Sequence, residues 1–226
     1  MRKSIFLSLL LTILLISLVI VNSHFNIGQR KAFIMSSDLS ATTIITGHVK
    51  IINEHIVMDE TITIESGGIL EIINSTLDFS QLTASSTLID NGGTLIINNS
   101  HIISNLNNEY TYVISSNGDL IVVNSSFINK QLPVNFDNRQ CTMIFAIEHG
   151  TNLIRLNGNR FENFTEAIMV SSASGSVNIY NNTFINCPFA LTLDYLQNAI
   201  IARNTLINSI ACGITAAGYN LSLIHI

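Results

Sequence analysis

Residues 177–186 decide the fold, and they read V-N-I-Y-N-N-T-F-I-N. The pattern is apolar, any, apolar, any, Asn, Asn or Ser, any, large apolar, any, Asn. It occurs six times, at residues 70–79, 95–104, 120–129, 154–163, 177–186 and 199–208. A repeat of this period is typical of a solenoid, in which each unit stacks on the one before it.

Two columns of the repeat are apolar in every copy. They lie seven and five residues before the large apolar position, and the residues between them are mixed. The first column holds Leu70, Leu95, Leu120, Ile154, Val177 and Ala199; the second holds Ile72, Ile97, Val122, Leu156, Ile179 and Ile201. Apolar residues at every second position indicate a strand. Because the repeat leaves no room for a crossover helix, it predicts an all-β fold of strand–turn–strand coils in parallel sheets.

Glycine and asparagine mark the turns of the repeat. Glycine, a turn residue that tolerates positive φ, recurs nine residues before the large apolar position, at Gly68, Gly93, Gly118 and Gly175. Asparagine tolerates the left-handed region and suits a tight corner, and stacked amides can bond one another in a ladder. We therefore assign a structural corner role to Asn74, Asn99, Asn124, Asn159, Asn182 and Asn204.

The repeat resembles a known family. Residues 177–186, together with the polar–apolar strand pair and acidic-Ser-Gly-Gly turn of residues 42–70, resemble right-handed parallel β-helix proteins of the pectate-lyase-like and NosD-like superfamily. The resemblance covers about residues 42–220. It implies a single-stranded right-handed parallel β-helix of about six to seven coils. It says little about activity, because the fold hosts lyases, hydrolases, adhesins and inert scaffolds.

The two ends of the chain differ from the repeat. Arg2 and Lys3 precede an apolar run at residues 5–21, which predicts a hydrophobic export helix within residues 1–21, either a cleaved signal peptide or an uncleaved signal-anchor. Residues 22–41 are expected to be a linker. The last six residues, L-S-L-I-H-I, match a reading frame of a transposase-adapter sequence. We expect residues 221–226 to be adapter read-through and the natural protein to continue.

Composition narrows the function classes. Only 11% of the residues are charged and the net charge is −5, so nucleic acid is not an expected partner. Membrane contact is expected only through residues 5–21 if that segment stays uncleaved. The three cysteines show no CxxC or His/Cys spacing, so we expect no metal and no cofactor. Their disulfide state is left open.

Catalytic motifs of the resembling enzymes are missing from this sequence. Asn-Thr-Asp, Gly-Asp-Asp and Gly-His-Gly do not occur, and Glu148-His149-Gly150 is the nearest approach. Asp194 lies on a strand-like stretch without a partner carboxylate in a matching column, so no catalytic residue is assigned. The expected function is an exported or cell-surface scaffold for adhesion or glycan binding. The alternative is the N-terminal part of a polysaccharide lyase or glycoside hydrolase whose catalytic coils lie beyond residue 226.

Three residues are candidates for contact with a polysaccharide or a cell-surface glycan. The chain has no Trp, the preferred stacking platform for sugars, but Tyr110, Tyr112, Tyr180 and Tyr195 are available. Tyr180 occupies an outward column and is the best of them. Arg155 and Arg203 occupy repeat columns, and with Arg160 they are candidates for a basic stripe that would bind sugar acids. The candidate contacts are therefore Tyr180, Arg155 and Arg203.

Overall fold

The computed structural model describes residues 42–82, 87–105, 111–132, 142–147, 153–171, 173–196, 198–209, 211, 213–217 and 223–225. The predicted export helix, the linker at 22–41, residues 148–150, Cys141 and Cys212 lie outside this part of the chain. All regular secondary structure in the described residues is β. No helix there is long and apolar enough to span a membrane.

In the described part of the chain, twenty-three strands form three parallel sheets. Sheet A contains β1 (Thr42–Ile45), β4 (Thr61–Ile64), β7 (Thr87–Asn91), β10 (Thr111–Ser116), β13 (Thr142–Ile147), β16 (Glu166–Ser171), β19 (Phe189–Asp194) and β22 (Gly213–Ala217). Sheet B contains β2 (His48–Ile52), β5 (Ile69–Ile73), β8 (Thr94–Asn98), β11 (Asp119–Val123), β14 (Ile154–Asn157), β17 (Ser176–Tyr180), β20 (Asn198–Ala202) and β23 (Leu223–His225). Sheet C contains β3 (His55–Val57), β6 (Thr76–Asp78), β9 (His101–Ser104), β12 (Ser126–Asn129), β15 (Arg160–Glu162), β18 (Thr183–Ile185) and β21 (Thr205–Ile207).

Each coil visits the three sheets in the order A, B, C, and every strand pairs with the strands three positions away in the chain. We number the coils from coil 1 (β1–β3) to coil 7 (β19–β21). The predicted all-β parallel solenoid is confirmed in the described residues. The strand–turn–strand unit was incomplete, however, because the repeat covers only sheets B and C. The sheet A strand of each coil was not predicted.

The apolar columns form the core. Leu70, Leu95 and Leu120 stack in register on sheet B, and each is at most 1% exposed. The large apolar column does the same on sheet C, where Phe127 and Phe161 stack with ring centroids 5.3 Å apart and Phe161 and Phe184 at 5.1 Å. Burial of these columns is the main stabilising contribution, at roughly 25 cal/mol per Å² of apolar surface.

The glycine column is explained by the contact between consecutive coils. Gly68, Gly93 and Gly118 do not adopt positive φ. A Cβ on Gly93 would lie 2.3 Å from the Gly68 carbonyl oxygen, and a Cβ on Gly118 would lie 2.0 Å from that of Gly93. These glycines are therefore needed because consecutive coils approach each other backbone to backbone, and not for their tolerance of positive φ.

One asparagine column turns the corner between sheets B and C. Asn74, Asn99, Asn124 and Asn181 have φ between 48° and 56°, and the column's two exceptions, Gly158 and Arg203, also have positive φ, at 67° and 55°. A second left-handed column, Asn163, Asn186 and Asn208, turns the corner from sheet C to sheet A. The structure thus uses asparagine where left-handed backbone is required.

The next column is buried and forms a polar ladder. Ser75, Ser100, Ser125, Asn159, Asn182 and Asn204 are all at most 6% exposed. Each side-chain oxygen accepts a hydrogen bond from the backbone N–H of the residue one coil earlier, as in Asn159 N to Asn182 Oδ1 at 2.9 Å. In the asparagine part, each Nδ2 also donates to a carbonyl, for example Asn182 Nδ2 to Leu156 O at 3.0 Å. These contacts satisfy buried polar groups that would otherwise destabilise the core.

Candidate functional site

The structure brings two of the three glycan-contact candidates together. Arg155 and Tyr180 lie on the outer face of sheet B, on neighbouring strands β14 and β17. Arg155 Nη2 donates a hydrogen bond to the Tyr180 hydroxyl at 3.2 Å. Arg155 is exposed, but Tyr180 is only partly exposed. The tyrosine hydroxyl is thus engaged by a side chain of its own chain.

The third candidate, Arg203, lies elsewhere. It follows Ala202, the register partner of Tyr180, and it is exposed at the corner between sheets B and C with φ of 55°. Arg160 lies on sheet C, where it forms an ion pair with Glu162 at 2.8 Å. The three arginines therefore occupy three different columns and do not form a single stripe.

The asparagines that we assigned to corners bond mainly with the chain itself. Asn159, Asn182 and Asn204 form the buried ladder described above. Asn74, Asn99 and Asn124 occupy the left-handed positions. Each of their backbone N–H groups donates to a carbonyl of the following coil, for example Asn124 N to Asn157 O at 2.9 Å. These contacts explain the asparagine columns by backbone geometry.

An exposed tyrosine lies in the connection between sheets A and B. Tyr195 directly follows β19, has a φ of 52°, and is 62% exposed. A non-glycine residue in the left-handed region costs about 1–2 kcal/mol, and such strain concentrates at functional sites. Asparagine occupies most other left-handed positions of this chain. A strained, exposed aromatic side chain here is the observation that points to a site.

Sheet A carries one carboxylate next to this tyrosine in the chain and a second at the far end of the neighbouring strand. Asp194 immediately precedes Tyr195, and Glu166 begins the neighbouring strand β16. Burial raises the pKa of Glu166, the hydrogen bond that Thr192 donates to its carboxylate opposes the rise, and the negative charge of Asp194 raises it further. We call Glu166, Thr192, Asp194 and Tyr195 the Tyr195 site.

The chemistry of the Tyr195 site follows from these groups. The tyrosine ring offers an apolar platform, and the carboxyl groups and the threonine hydroxyl of sheet A offer hydrogen-bond acceptors and donors. Because burial raises the pKa of Glu166, its protonated form, which can donate a hydrogen bond, persists to higher pH than in a solvated glutamate. This combination suits a polyhydroxylated neutral ligand.

Sequence reasoning missed Glu166 and underrated Tyr195. Asp194 has Ser171 as its register partner, so inspection of matching columns finds no second carboxylate. Glu166 influences Asp194 from the other end of the neighbouring strand, in a sheet that the repeat did not contain. The available signal was the pair of matched segments E-A-I-M-V-S (Glu166–Ser171) and F-A-L-T-L-D (Phe189–Asp194).

Two further titratable groups in the described residues make structural contacts. Glu71 accepts hydrogen bonds from Lys50 at 3.0 Å and from His48 at 2.6 Å; the Lys50 contact chiefly lowers the pKa of Glu71, against the effect of burial. Cys187 is buried and unbridged, and burial raises its pKa to about 11. No group of three His, Cys, Asp or Glu side chains with metal-binding geometry occurs within the described ranges.

Comparisons of the chain with protein-family models, with curated proteins and with solved structures found no match.

Proposed function

We propose that the chain is an exported or cell-surface β-solenoid scaffold that binds glycans at the Tyr195 site without turning them over. The single observation that carries this proposal is Tyr195 itself, which is strained at φ 52° and 62% exposed beside Asp194. Sugars are recognised by stacking on an aromatic face combined with hydrogen bonds to their hydroxyl groups. Export is proposed from the apolar run at residues 5–21.

We further propose that the solenoid belongs to the right-handed parallel β-helix class that the repeat resembles. The inward apolar ladders, the stacked asparagines and the parallel order of all three sheets support this assignment. Proteins of this class present long, regular outer faces to extended polymers. A polysaccharide running along or across sheet A would meet the Tyr195 site at coils 6 and 7.

Titration calorimetry with a panel of neutral and acidic oligosaccharides tests the binding proposal. We expect the Tyr195→Ala variant to lose binding by about fivefold or more, because stacking on an aromatic ring contributes on the order of 1 kcal/mol or more. Tyr195→Phe is the matched control and should bind like the wild type, since it keeps the ring. Tyr180→Ala tests whether Tyr180 on sheet B is the aromatic platform instead. If Tyr180→Ala loses binding and Tyr195→Ala keeps it, the site is on sheet B and the proposal is wrong.

A second function has a specific observation in its favour. Glu166, whose pKa is raised chiefly by burial, and Asp194 are carboxyl groups on neighbouring strands, and a glycoside hydrolase uses a pair of carboxyl groups as general acid and base. Release of reducing sugar from any panel member, abolished in both Glu166→Gln and Asp194→Asn, would show a hydrolase instead of a binding scaffold. The scaffold function is supported if the wild type hydrolyses no oligosaccharide and both variants still bind one.

A further inference from the structure

The outer face of sheet B carries an apolar patch in coils 2 to 4. Along each strand its members alternate with the buried apolar residues of sheet B, and they are only partly shielded by their neighbours. The sheet B patch consists of Ile69, Ile73, Ile96, Ile121 and Val123. Leu153 borders this patch in coil 5 and is 38% exposed, and Ile200 lies further along the same outer face and is 47% exposed. Clustered apolar side chains on one outer face mark an interaction surface.

Charged residues lie on either side of the patch in one column. The register of sheet B places Lys50, Glu71, Ile96, Ile121, Arg155, Asn178 and Ile200 next to one another in that order. Glu71 is therefore one coil before the pair Ile96 and Ile121, and Arg155 is one coil after it. Within coils 2 to 5 the column is antisymmetric in charge about the midpoint between coils 3 and 4.

We infer that this face is a two-fold interface between two copies of the chain. The axis runs parallel to the strands and passes between Ile96 and Ile121, so that the two solenoids lie face to face with opposite coil order. Such an axis keeps every column opposite itself. Ile96 then faces Ile121 of the second copy, and Glu71 faces Arg155 of the second copy, once on each side. An interface of this kind is closed and uses the same patch twice.

The flanking columns fit the same axis. On one side Ile69 meets Leu153 of the second copy, and Thr94 meets Asp119. On the other side Ile73 meets Asn157, and Ile52, which is 44% exposed, meets Tyr180. No pair in these three columns places two like charges opposite each other. Lys50, the other cation of the central column, faces the neutral side chain of Asn178. A two-fold axis parallel to the long axis of the solenoid would instead place Glu71 opposite Glu71 of the second copy. Opposite charges would then not face each other.

The distances required by this packing are ordinary. Two sheets pack face to face at about 10 Å, which is spanned by a glutamate and an arginine that extend toward each other. Arg155 is exposed and free to extend, because its observed partner within the chain is the neutral Tyr180 hydroxyl. Glu71 is oriented by Lys50 and His48. The apolar centre with a charged rim matches the usual anatomy of an interface.

A charge-exchange experiment tests the pairing on the full-length chain by sedimentation velocity. We expect the wild type to dimerise and each of the variants Glu71→Arg and Arg155→Glu to dissociate about tenfold or more readily, because each places like charges opposite each other. An equimolar mixture of the two variants should recover the dimer. In the mixed dimer one contact keeps Arg155 opposite Glu71, and the other contact has the two charges exchanged. All samples share residues 5–21, so association through that run cannot produce the difference.

Disulfide trapping tests the position of the axis. Ile96→Cys and Ile121→Cys are made in separate copies that carry tags of different size, with the native cysteines retained. The two-fold axis predicts a mixed disulfide between tagged copies when both are present, and none above the wild-type background when either variant is oxidised alone. A Glu71→Gln control with unchanged thermal unfolding checks that the fold survives changes in this column.

Two results would overturn the inference. One is a wild-type chain that remains monomeric up to about 1 mM, because a Kd above that concentration means a binding free energy weaker than about 4 kcal/mol. The other is a dimer that is insensitive to both charge reversals and gives no mixed disulfide, which would place the contact on another face. Recovery in the mixture together with the specific disulfide supports it.

Discussion

Asn182 Nδ2 donates a hydrogen bond of 3.0 Å to Oδ1 of Asn204, one coil further along the solenoid. The same geometry links Asn159 to Asn182 at 3.0 Å, so three buried amides form a continuous chain. Each amide also caps a backbone N–H and a carbonyl. Such a ladder holds the coils in register, because a shift of one residue would leave every member unpaired in the core.

The ladder makes a direct prediction for Asn182. In Asn182→Ala, the Asn159 N–H and the Leu156 carbonyl lose their partner in a buried position. We expect a loss of about 1–3 kcal/mol for each buried group left unpaired. Urea unfolding followed by circular dichroism measures it. The neighbouring Asn181→Gly is the control, since it keeps the left-handed corner and should be nearly neutral; an equal loss in both variants would contradict the ladder's role.

Backbone approach between coils predicts the effect of a methyl group at Gly93. The added Cβ of Gly93→Ala would lie 2.3 Å from the Gly68 oxygen and 2.5 Å from the Glu65 oxygen, both of them backbone atoms. Because backbone atoms give way only at a cost, we expect a loss of about 1–3 kcal/mol or failure to fold. Gly47→Ala is the matched control, as its Cβ meets nothing within 4 Å. Equal unfolding midpoints for the two variants would show that coil stacking is looser than described.

Arg203 offers a stabilising substitution. It has a φ of 55° in a column where asparagine is the common residue. Asparagine tolerates this region better than arginine, so we expect Arg203→Asn to raise the free energy of unfolding by up to about 1 kcal/mol. Differential scanning calorimetry would record a higher Tm. Arg160→Asn, on a strand of sheet C, should give no such gain, and a lower Tm for Arg203→Asn would indicate a contact made by the arginine itself.

Glu166 predicts a pH dependence. Its pKa in the folded protein is raised above the ordinary value of 4.5, first by burial and then by Asp194. The folded state therefore holds a proton that the unfolded state releases, so stability falls as the pH rises from 4.5 through the folded pKa. Glu166→Gln removes this dependence. Its stability relative to the wild type should be higher at about pH 7 than at about pH 4.

The control for this pH effect is Asp194→Asn. It removes the neighbouring negative charge, so it should narrow the pH window over which the wild type loses stability without abolishing it. Urea midpoints measured at both pH values report the result. A constant difference between Glu166→Gln and the wild type across the pH range would mean that Glu166 titrates like a solvated carboxyl group.

Much of the fold was accessible from the sequence because its signals are local. The alternation Leu70, Ile72 and Leu95, Ile97 indicates strands whose inward residues repeat once per coil, and these residues are buried in the structure. The asparagines at the corners were recognisable for the same reason: left-handed backbone is a property of a single residue and its side chain. Their division into exposed corner residues and a buried ladder was not recognised, since burial depends on neighbouring coils.

The sheet A strand was missed because its alternation is broken. Two consecutive residues point inward in several coils, as with Val113 and Ile114 or Ala190 and Leu191. The register of this sheet shifts at the same place, between Phe189 and Leu191. A bulge of this kind hides a strand from any search for period two.

The sequence by itself determined the parallel coils, their inward columns and their corners, because each is encoded within a few consecutive residues. Only the tertiary structure decided what happens between coils. It showed that Gly93 is required by the close approach of the Gly68 backbone, that Arg155 reaches Tyr180, and that Asp194 influences Glu166 from a neighbouring strand. These pairs are 25 to 28 residues apart in the chain. Their proximity is set by the stacking register, a property of the assembled solenoid that no single repeat contains.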